Sequence, residues 1–187
     1  AFKLFRNRNR KPINPDLRSV VYSLATKTGK AAAYTELKKM YVKANMQEEQ
    51  RRISRGIMNV ENKDLFKQSL DFMLSKEVRS QDMPILMYLA ISNIVNRKAA
   101  WQWLKKNWPA INQRYHKDHL LVFMVKPLGQ FSNLNAAKDI KEFFKKNPAP
   151  SASRAIKQSL EQISVNAAWL KRDRADILNC IKGMEKL

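Results

Sequence analysis

The chain of 187 residues carries 36 lysines and arginines against 16 aspartates and glutamates, a net charge of +20. Hydrophobic residues make up 44% of it, too many for a disordered chain. No apolar run approaches the ~20 residues that cross a bilayer, so no membrane partner is expected. Residues Ala1–Arg10 lack the apolar core of a secretory signal. The single cysteine excludes an internal disulfide, which favours a reducing, cytoplasmic location.

The fold class follows from the long stretches between few breaking residues. Only 4 glycines and 7 prolines interrupt segments rich in Lys, Leu, Ala, Gln and Met. This composition, with apolar residues at helical spacing, predicts an all-α protein. Successive helices with one apolar face each predict a single helical domain over residues 1–187. Its expected form is a curved array of antiparallel pairs, a HEAT- or armadillo-like superhelix of about ten helices.

The first clear helix is predicted to begin at Asn14, where a capping side chain precedes a proline and an acid in the first turn. Gly29 predicts the end of this helix, and a second helix is expected from about Ala31. The residues expected to pack on one face of the first helix are Leu17, Val20, Val21 and Leu24.

Further helices follow in chain order. A third is predicted to start near Met46, and a fourth carries Phe66, Leu70, Met73 and Leu74 at helical spacing. The strongly apolar stretch 85–91 predicts an inner helix, and residues 99–108 and 120–125 predict two more.

The last third of the chain has clear starts and stops. A break is expected at 127–129, and Asn133 is a predicted helix cap. The segment 148–150 stops that helix, since it contains two prolines. The longest helix follows, with a separate short helix predicted from about Asp173.

No residues assemble into a recognisable reaction centre. His116 and His119 are three residues apart, and the only cysteine, Cys180, is far away in sequence. A zinc site would need two histidines at i, i+4 with a third ligand, or paired cysteines. Cys180 lies among isoleucines and a leucine, which favours a small core residue over a nucleophile. We therefore predict no catalytic residue and no metal ligand in this chain.

A tryptophan-rich segment leaves two interpretations open. Trp101, Trp103 and Trp108 lie near two lysines, as in proteins that stack nucleic-acid bases on aromatic rings. The other interpretation is packing, because Trp101, Leu104 and Trp108 share one helical face. The net charge keeps a basic helical-repeat module that binds nucleic acid as an alternative function, and a protein-interaction scaffold as a third.

Six segments resemble the puromycin-sensitive branch of the gluzincin zinc aminopeptidases, in that family's order. They are Asn14–Ala25 (NPDLRSVVYSLA), Asn45–Arg52 (NMQEEQRR), Ser75–Asp82 (SKEVRSQD), Lys98–Pro109 (KAAWQWLKKNWP), Phe143–Ser151 (FFKKNPAPS) and Asn166–Asp173 (NAAWLKRD). The last two are the most specific. Together the segments run from near the first residue to near the last.

The resemblance implies that the catalytic motifs lie in a different domain from this chain. In that family the HExxH zinc helix and the GAMEN segment lie in a preceding thermolysin-like domain, and neither motif occurs here. This chain is then similar to the distal part of the C-terminal domain, a bowl of paired helices. The implied zinc belongs to the absent catalytic domain. The implied partners are that catalytic domain of the same parent protein and peptide substrates.

One short segment is implied as a peptide-contacting loop. Gln130, Phe131 and Ser132 follow the break at 127–129 and resemble a loop that points toward the cleft in relatives. The alternative is an ordinary interhelical turn in which Phe131 fills a gap in the packing.

Overall fold

The computed structural model describes residues 2–9 and 11–184, which contain helices and turns but no strand. The α-helices are α1 (Phe2–Arg6), α2 (Pro15–Lys43), α3 (Gln47–Met58), α4 (Lys63–Phe72), α5 (Met83–Ser92), α6 (Arg97–Tyr115), α7 (Leu120–Val125), α8 (Leu134–Lys146) and α9 (Ser153–Met184). Short 3₁₀ helices span Lys126–Gln130 and Pro150–Ala152. The predicted all-α class is confirmed. The superhelical arrangement stays a prediction.

The chain divides into two compact units, Ala1–Asn107 and Trp108–Leu187, with the boundary inside α6. The first unit contains α1 to α5 and the first part of α6. In the second, the Trp108 ring meets Phe143 and Phe144 edge to face, at centroid distances of 5.6 and 5.3 Å. The expected single domain over residues 1–187 stays a prediction.

The structure assigns helical backbone continuously from Pro15 to Lys43, so α2 does not end at Gly29 as predicted. In a straight helix Tyr22 and Leu37 would lie about 22 Å apart, yet the Tyr22 carbonyl oxygen and Leu37 Cδ1 lie 3.0 and 2.7 Å from the same Cβ position at Gly56. The axis of α2 therefore bends sharply between these two residues, in the region where the break was predicted. The predicted start is confirmed: the Asn14 side chain accepts a hydrogen bond from the Asp16 N–H at 3.0 Å.

The buried face of α2 also differs from the predicted one. Leu17, Val20 and Leu24 are exposed, whereas Val21, the fourth residue of the predicted face, is buried. Apolar spacing alone fits several overlapping stripes, and the contact with α3 selects among them. The residues of α2 that are buried are Val21, Tyr22, Ala25, Thr26, Ala33, Tyr34, Leu37 and Tyr41.

The contact between α2 and α3 is close because a glycine lies in it. A Cβ atom at Gly56 would lie 3.0 Å from the Tyr22 carbonyl oxygen and 2.7 Å from Leu37 Cδ1. The Thr26 hydroxyl donates a hydrogen bond to the Gly56 carbonyl at 3.1 Å. The two helices therefore meet backbone to backbone, which only a residue without a side chain allows.

A polar cluster also joins these two helices, near the start of α3. The Tyr22 hydroxyl donates to Glu49 Oε1 at 2.7 Å, and Arg18 donates to Glu49 Oε2 at 3.1 Å. Arg52 adds a third contact at 3.3 Å. Burial on its own would raise the pKa of Glu49, but the hydrogen bonds from Tyr22, Arg18 and Arg52 lower it overall.

This cluster predicts a pH-dependent stability. A carboxyl group whose pKa is lowered by folding stabilises the protein above its ordinary pKa of 4.5, and that contribution is lost as the pH falls through the folded-state value. Glu49→Gln should therefore lower the free energy of unfolding by about 2 kcal/mol at pH 7. In urea titrations the gap to the unmodified protein should narrow below pH 4.5. Glu142→Gln, on the exposed face of α8, is the control, and a gap that does not change with pH would contradict the prediction.

The buried side chain of Asn93 links the turn after α3 to the turn after α5. Asn93 Nδ2 donates to the carbonyls of Met58 and Val60, both at 2.9 Å. Its Oδ1 accepts from the N–H groups of Val95 and Asn96, both at 3.1 Å. One amide thus satisfies four backbone groups away from water.

Several predicted boundaries are confirmed. The structure starts α3 at Gln47, next to the predicted Met46, and α5 covers the predicted inner helix. Asn133 caps α8 by accepting from the Ala136 N–H at 2.8 Å.

The separate terminal helix predicted from Asp173 is wrong, because α9 continues from Ser153 to Met184. No proline lies between these ends, so nothing in the local sequence stops the helix. Its buried residues, Ala155, Ser159 and Ile163, all lie in the first half. Cys180 lies in the second half and is exposed, so its predicted place in a core is wrong.

Candidate functional site

The segment Gln130–Ser132 connects a 3₁₀ helix to the cap of α8. Gln130 ends the 3₁₀ helix and is half-buried, Phe131 is only 8% exposed, and Ser132 is exposed just before Asn133. The three side chains therefore do not form one surface. Phe131 packs inside the second unit, while Ser132 is open to solvent.

Contacts with α9 hold this loop in place. Asn166 Nδ2 donates to the carbonyls of Gly129 and Phe131, at 2.9 and 3.0 Å. Ser159 Oγ donates to the Lys126 carbonyl at 3.2 Å. A Cβ at Gly129 would lie 3.3 Å from the Ser159 Cα, so the backbones of the loop and the helix almost touch.

Removal of the Asn166 amide should loosen the loop. Asn166→Ala leaves two carbonyl groups without their donor, which should lower the free energy of unfolding by about 1–2 kcal/mol. Thermal denaturation measures this, with Asn179→Ala on the exposed half of α9 as the control. Equal melting temperatures for the two variants would show that the amide does not hold the loop.

The packing interpretation of the tryptophan segment is confirmed for the helical face on which it was based. Trp101, Leu104 and Trp108 are buried. Trp103 points elsewhere: it is half-buried, and its indole N–H donates to Asp71 Oδ1 at 3.3 Å. Two of the three tryptophan rings are thus buried, and the third is partly open to solvent.

Trp103 marks a groove that the sequence pattern did not reveal. The groove lies between α4 and the first half of α6, has a volume of about 890 Å³, and is contained within the first unit. Such a volume is within the range of small-ligand sites. Apolar groups on its lining include Phe66, Leu70, Leu74, Val95 and Ala99.

Charged side chains also line the groove. Lys63 and Lys67 come from α4, and Lys98 and Lys106 from α6. Lys63, Lys67, Lys98 and Lys106 are exposed, and none forms an ion pair with a carboxylate in the described part of the chain. Two aspartates, Asp64 and Asp71, share the lining, and Asp71 is engaged by Trp103.

A second hollow extends the basic surface toward α2. It has a volume of about 580 Å³, and Lys38, Lys39 and Lys43 contribute to its lining, as does Asp71. The ammonium group of Lys38 lies 4.9 Å from the centroid of the Phe72 ring, a cation–π contact. Lysines therefore line both sides of α4.

Across residues 2–9 and 11–184, no three His, Cys, Asp or Glu side chains are grouped as metal ligands. His119 is exposed, with Nδ1 3.2 Å from Asp118 Oδ1, and His116 Nδ1 lies 3.2 Å from the Asn112 carbonyl. None of the described helices combines the length and the apolar character that a membrane span requires.

The described part of the chain is thus all-α and carries a lysine-lined groove between two of its helices. Residues 1–165 match the ERAP1-like C-terminal domain family, and the chain belongs to this family. The match spans the boundary between the two compact units.

The similar proteins are aminopeptidases. The chain is 31% identical to aminopeptidase M1-B of Oryza sativa subsp. japonica over 180 residues, and 30% identical to aminopeptidase M1 of Arabidopsis thaliana over 170 residues. Those alignments cover 94% and 88% of this chain. Aminopeptidase 2, mitochondrial, of Saccharomyces cerevisiae is 26% identical over 96% of the chain. The chain spans about one fifth of the length of these relatives.

Proposed function

We propose that this chain is the non-catalytic C-terminal domain of a zinc metalloaminopeptidase that releases N-terminal amino acids from peptides. In this role it forms part of the wall of the substrate chamber and contributes to peptide binding. The observation that carries the proposal is the alignment of 94% of the chain with 20% of a rice aminopeptidase. A segment that small, without HExxH, supplies something other than the reacting metal.

The physical contribution is positioning. Contacts to a peptide far from the bond that breaks hold that bond beside the metal, and remote binding energy lowers the barrier in this way. A chamber wall also excludes water and large folded proteins. The zinc in this proposal belongs to the catalytic domain of the same parent protein, which is the expected partner. The cytoplasm is the compartment that we propose.

Within the chain, the loop Gln130–Ser132 is one proposed contact to peptide. Its exposed member, Ser132, offers a hydroxyl, and the half-buried Gln130 offers an amide. The buried Phe131 ring and the Asn166 hydrogen bonds support the loop from behind. A loop held rigidly on a helix positions a ligand more accurately than a free one.

The alternative, a nucleic-acid-binding module, has less support. Of the three rings in its aromatic argument, Trp101 and Trp108 are buried and Trp103 is half-buried. The net charge of +20 remains, but charge alone speaks for non-specific association.

The proposal predicts that the chain has no peptidase activity of its own. Hydrolysis of leucyl-naphthylamide by the purified chain, with one equivalent of added zinc, should not exceed the buffer rate. The control is a full-length plant relative, whose activity should be lost on addition of a chelator. Chelator-sensitive turnover by the chain alone would overturn the proposal.

A further inference from the structure

We propose that the groove between α4 and α6 binds an acidic segment of a peptide, with an apolar side chain on its floor and carboxylates at its lysines. The inference rests on the proposed function for the ligand being a peptide. The choice of an acidic segment rests on the groove itself.

The floor of the groove can accept an aliphatic side chain. Phe66 and Leu70 form its buried base. Leu74 is 43% exposed and Val95 is 59% exposed, so both leave apolar surface open to solvent in the lining of the groove. Covering apolar surface of this kind contributes roughly 25 cal/mol per Å². A leucine-sized group placed here would therefore gain free energy from the water that it displaces.

The charges around the floor select the sign of the ligand. Lysines in the lining outnumber aspartates four to two. One of those aspartates, Asp71, already accepts the Trp103 N–H, and Asp64 lies in the first turn of α4. The four ammonium groups project from two facing helices, so carboxylates spaced along a peptide meet lysines on both sides.

The same lining argues against a nucleic acid. Phosphates follow one another at a fixed spacing along a nucleic-acid backbone, so some of them would lie beside Asp64 and Asp71, which repel any anion. Trp103, the indole in the lining, is fixed in orientation by the hydrogen bond from its N–H to Asp71. Carboxylates on flexible side chains, with aliphatic groups between them, fit the mixed surface better.

The test is fluorescence anisotropy with a fluorescein-labelled heptapeptide that contains leucines separated by glutamates. The expected result is saturable binding that weakens with added salt. A peptide with glutamine in place of each glutamate should bind about tenfold more weakly at low ionic strength. Equal affinities for the two peptides would overturn the proposal.

Two variant pairs locate the binding. Lys67→Glu with Lys106→Glu should weaken binding of the acidic peptide about tenfold, because two attractions become repulsions. The control pair, Lys145→Glu with Lys157→Glu, changes the net charge equally at exposed positions of the second unit and should retain most of the affinity. Equal losses in the two pairs would mean attraction to net charge only. Leu74→Gln should also weaken binding, by several-fold, if the floor is occupied.

A competing oligonucleotide separates the two classes of ligand. A single-stranded DNA of equal charge should displace the labelled peptide poorly. Displacement at lower concentrations than the unlabelled peptide, lost in the Lys67 and Lys106 pair, would replace the peptide with a nucleic acid. Failure of all peptides to bind, with the chain still inactive alone and functional within a full-length enzyme, would refute the groove without refuting the proposed function.

Discussion

Gly56→Leu should lower the free energy of unfolding by more than about 3 kcal/mol, the largest effect expected of any single substitution described for this chain. The first added carbon would lie 3.0 Å from the Tyr22 carbonyl oxygen, and 2.7 Å from Leu37 Cδ1. A side chain of leucine size cannot be accommodated by rotating Leu37, because the second obstacle is backbone. The helices α2 and α3 would have to separate, which exposes the core that they share.

Gly183→Leu is the matched control, because no atom lies within 4 Å of the Cβ position there. The same substitution on α9 replaces the poorest helix former apart from proline, so stability should be unchanged or rise by up to about 1 kcal/mol. Urea denaturation followed by circular dichroism compares the two. Similar midpoints for both variants would show that the close approach of α2 and α3 does not limit stability.

Asn93→Ala should be the second most damaging substitution, at about 3 kcal/mol. It leaves the carbonyls of Met58 and Val60 without a donor, and the N–H groups of Val95 and Asn96 without an acceptor. Asn93 is only 6% exposed, so water cannot replace the lost partners without entering the core.

Asn62→Ala is the comparison for this effect. Asn62 also serves two backbone groups, the N–H groups of Asp64 and Leu65, but it does so on the surface as the cap of α4. Loss of such a cap costs about 1 kcal/mol, because water takes over. The melting temperature of Asn93→Ala should therefore lie well below that of Asn62→Ala. Equal melting temperatures would contradict the burial argument.

Local chemistry was predictable where the deciding partners lie within one turn of helix. The caps at Asn14 and Asn133 were predicted because a side chain two or three residues from the bonded N–H decides them. The buried face with Trp101 and Trp108 was one of the two interpretations of the sequence, because its large apolar residues recur at helical spacing.

Features that depend on distant partners were not predictable. The face of α2 that is buried depends on the contact with Gly56, which lies more than thirty residues after Val21. No apolar pattern within α2 indicates that contact. Helical backbone also continues through Gly29, although the axis of α2 bends between Tyr22 and Leu37. Cys180 is exposed because the packed part of α9 ends earlier, after Ile163.

Some features of the candidate site were likewise predictable from the sequence, and others were not. Six short segments indicated the family, and the match over residues 1–165 confirms it, although Asn166–Asp173 lies beyond that match. The structural role of Asn166 within that segment emerges only from its contacts with Gly129 and Phe131. The groove beside Trp103 combines residues from α4 and α6 that are separated in sequence, so its lysines look like ordinary surface charges until the two helices are placed together.

The most direct measurement replaces the corresponding one fifth of rice aminopeptidase M1-B with this chain and determines kcat/KM for a peptide and for leucyl-naphthylamide. If the chain is the supporting wall of such an enzyme, the chimera should bind zinc and cleave both substrates, whereas the same enzyme without the segment should be severely impaired on the peptide. A chimera that is folded and zinc-loaded, yet no better on the peptide than the deletion, would contradict that role.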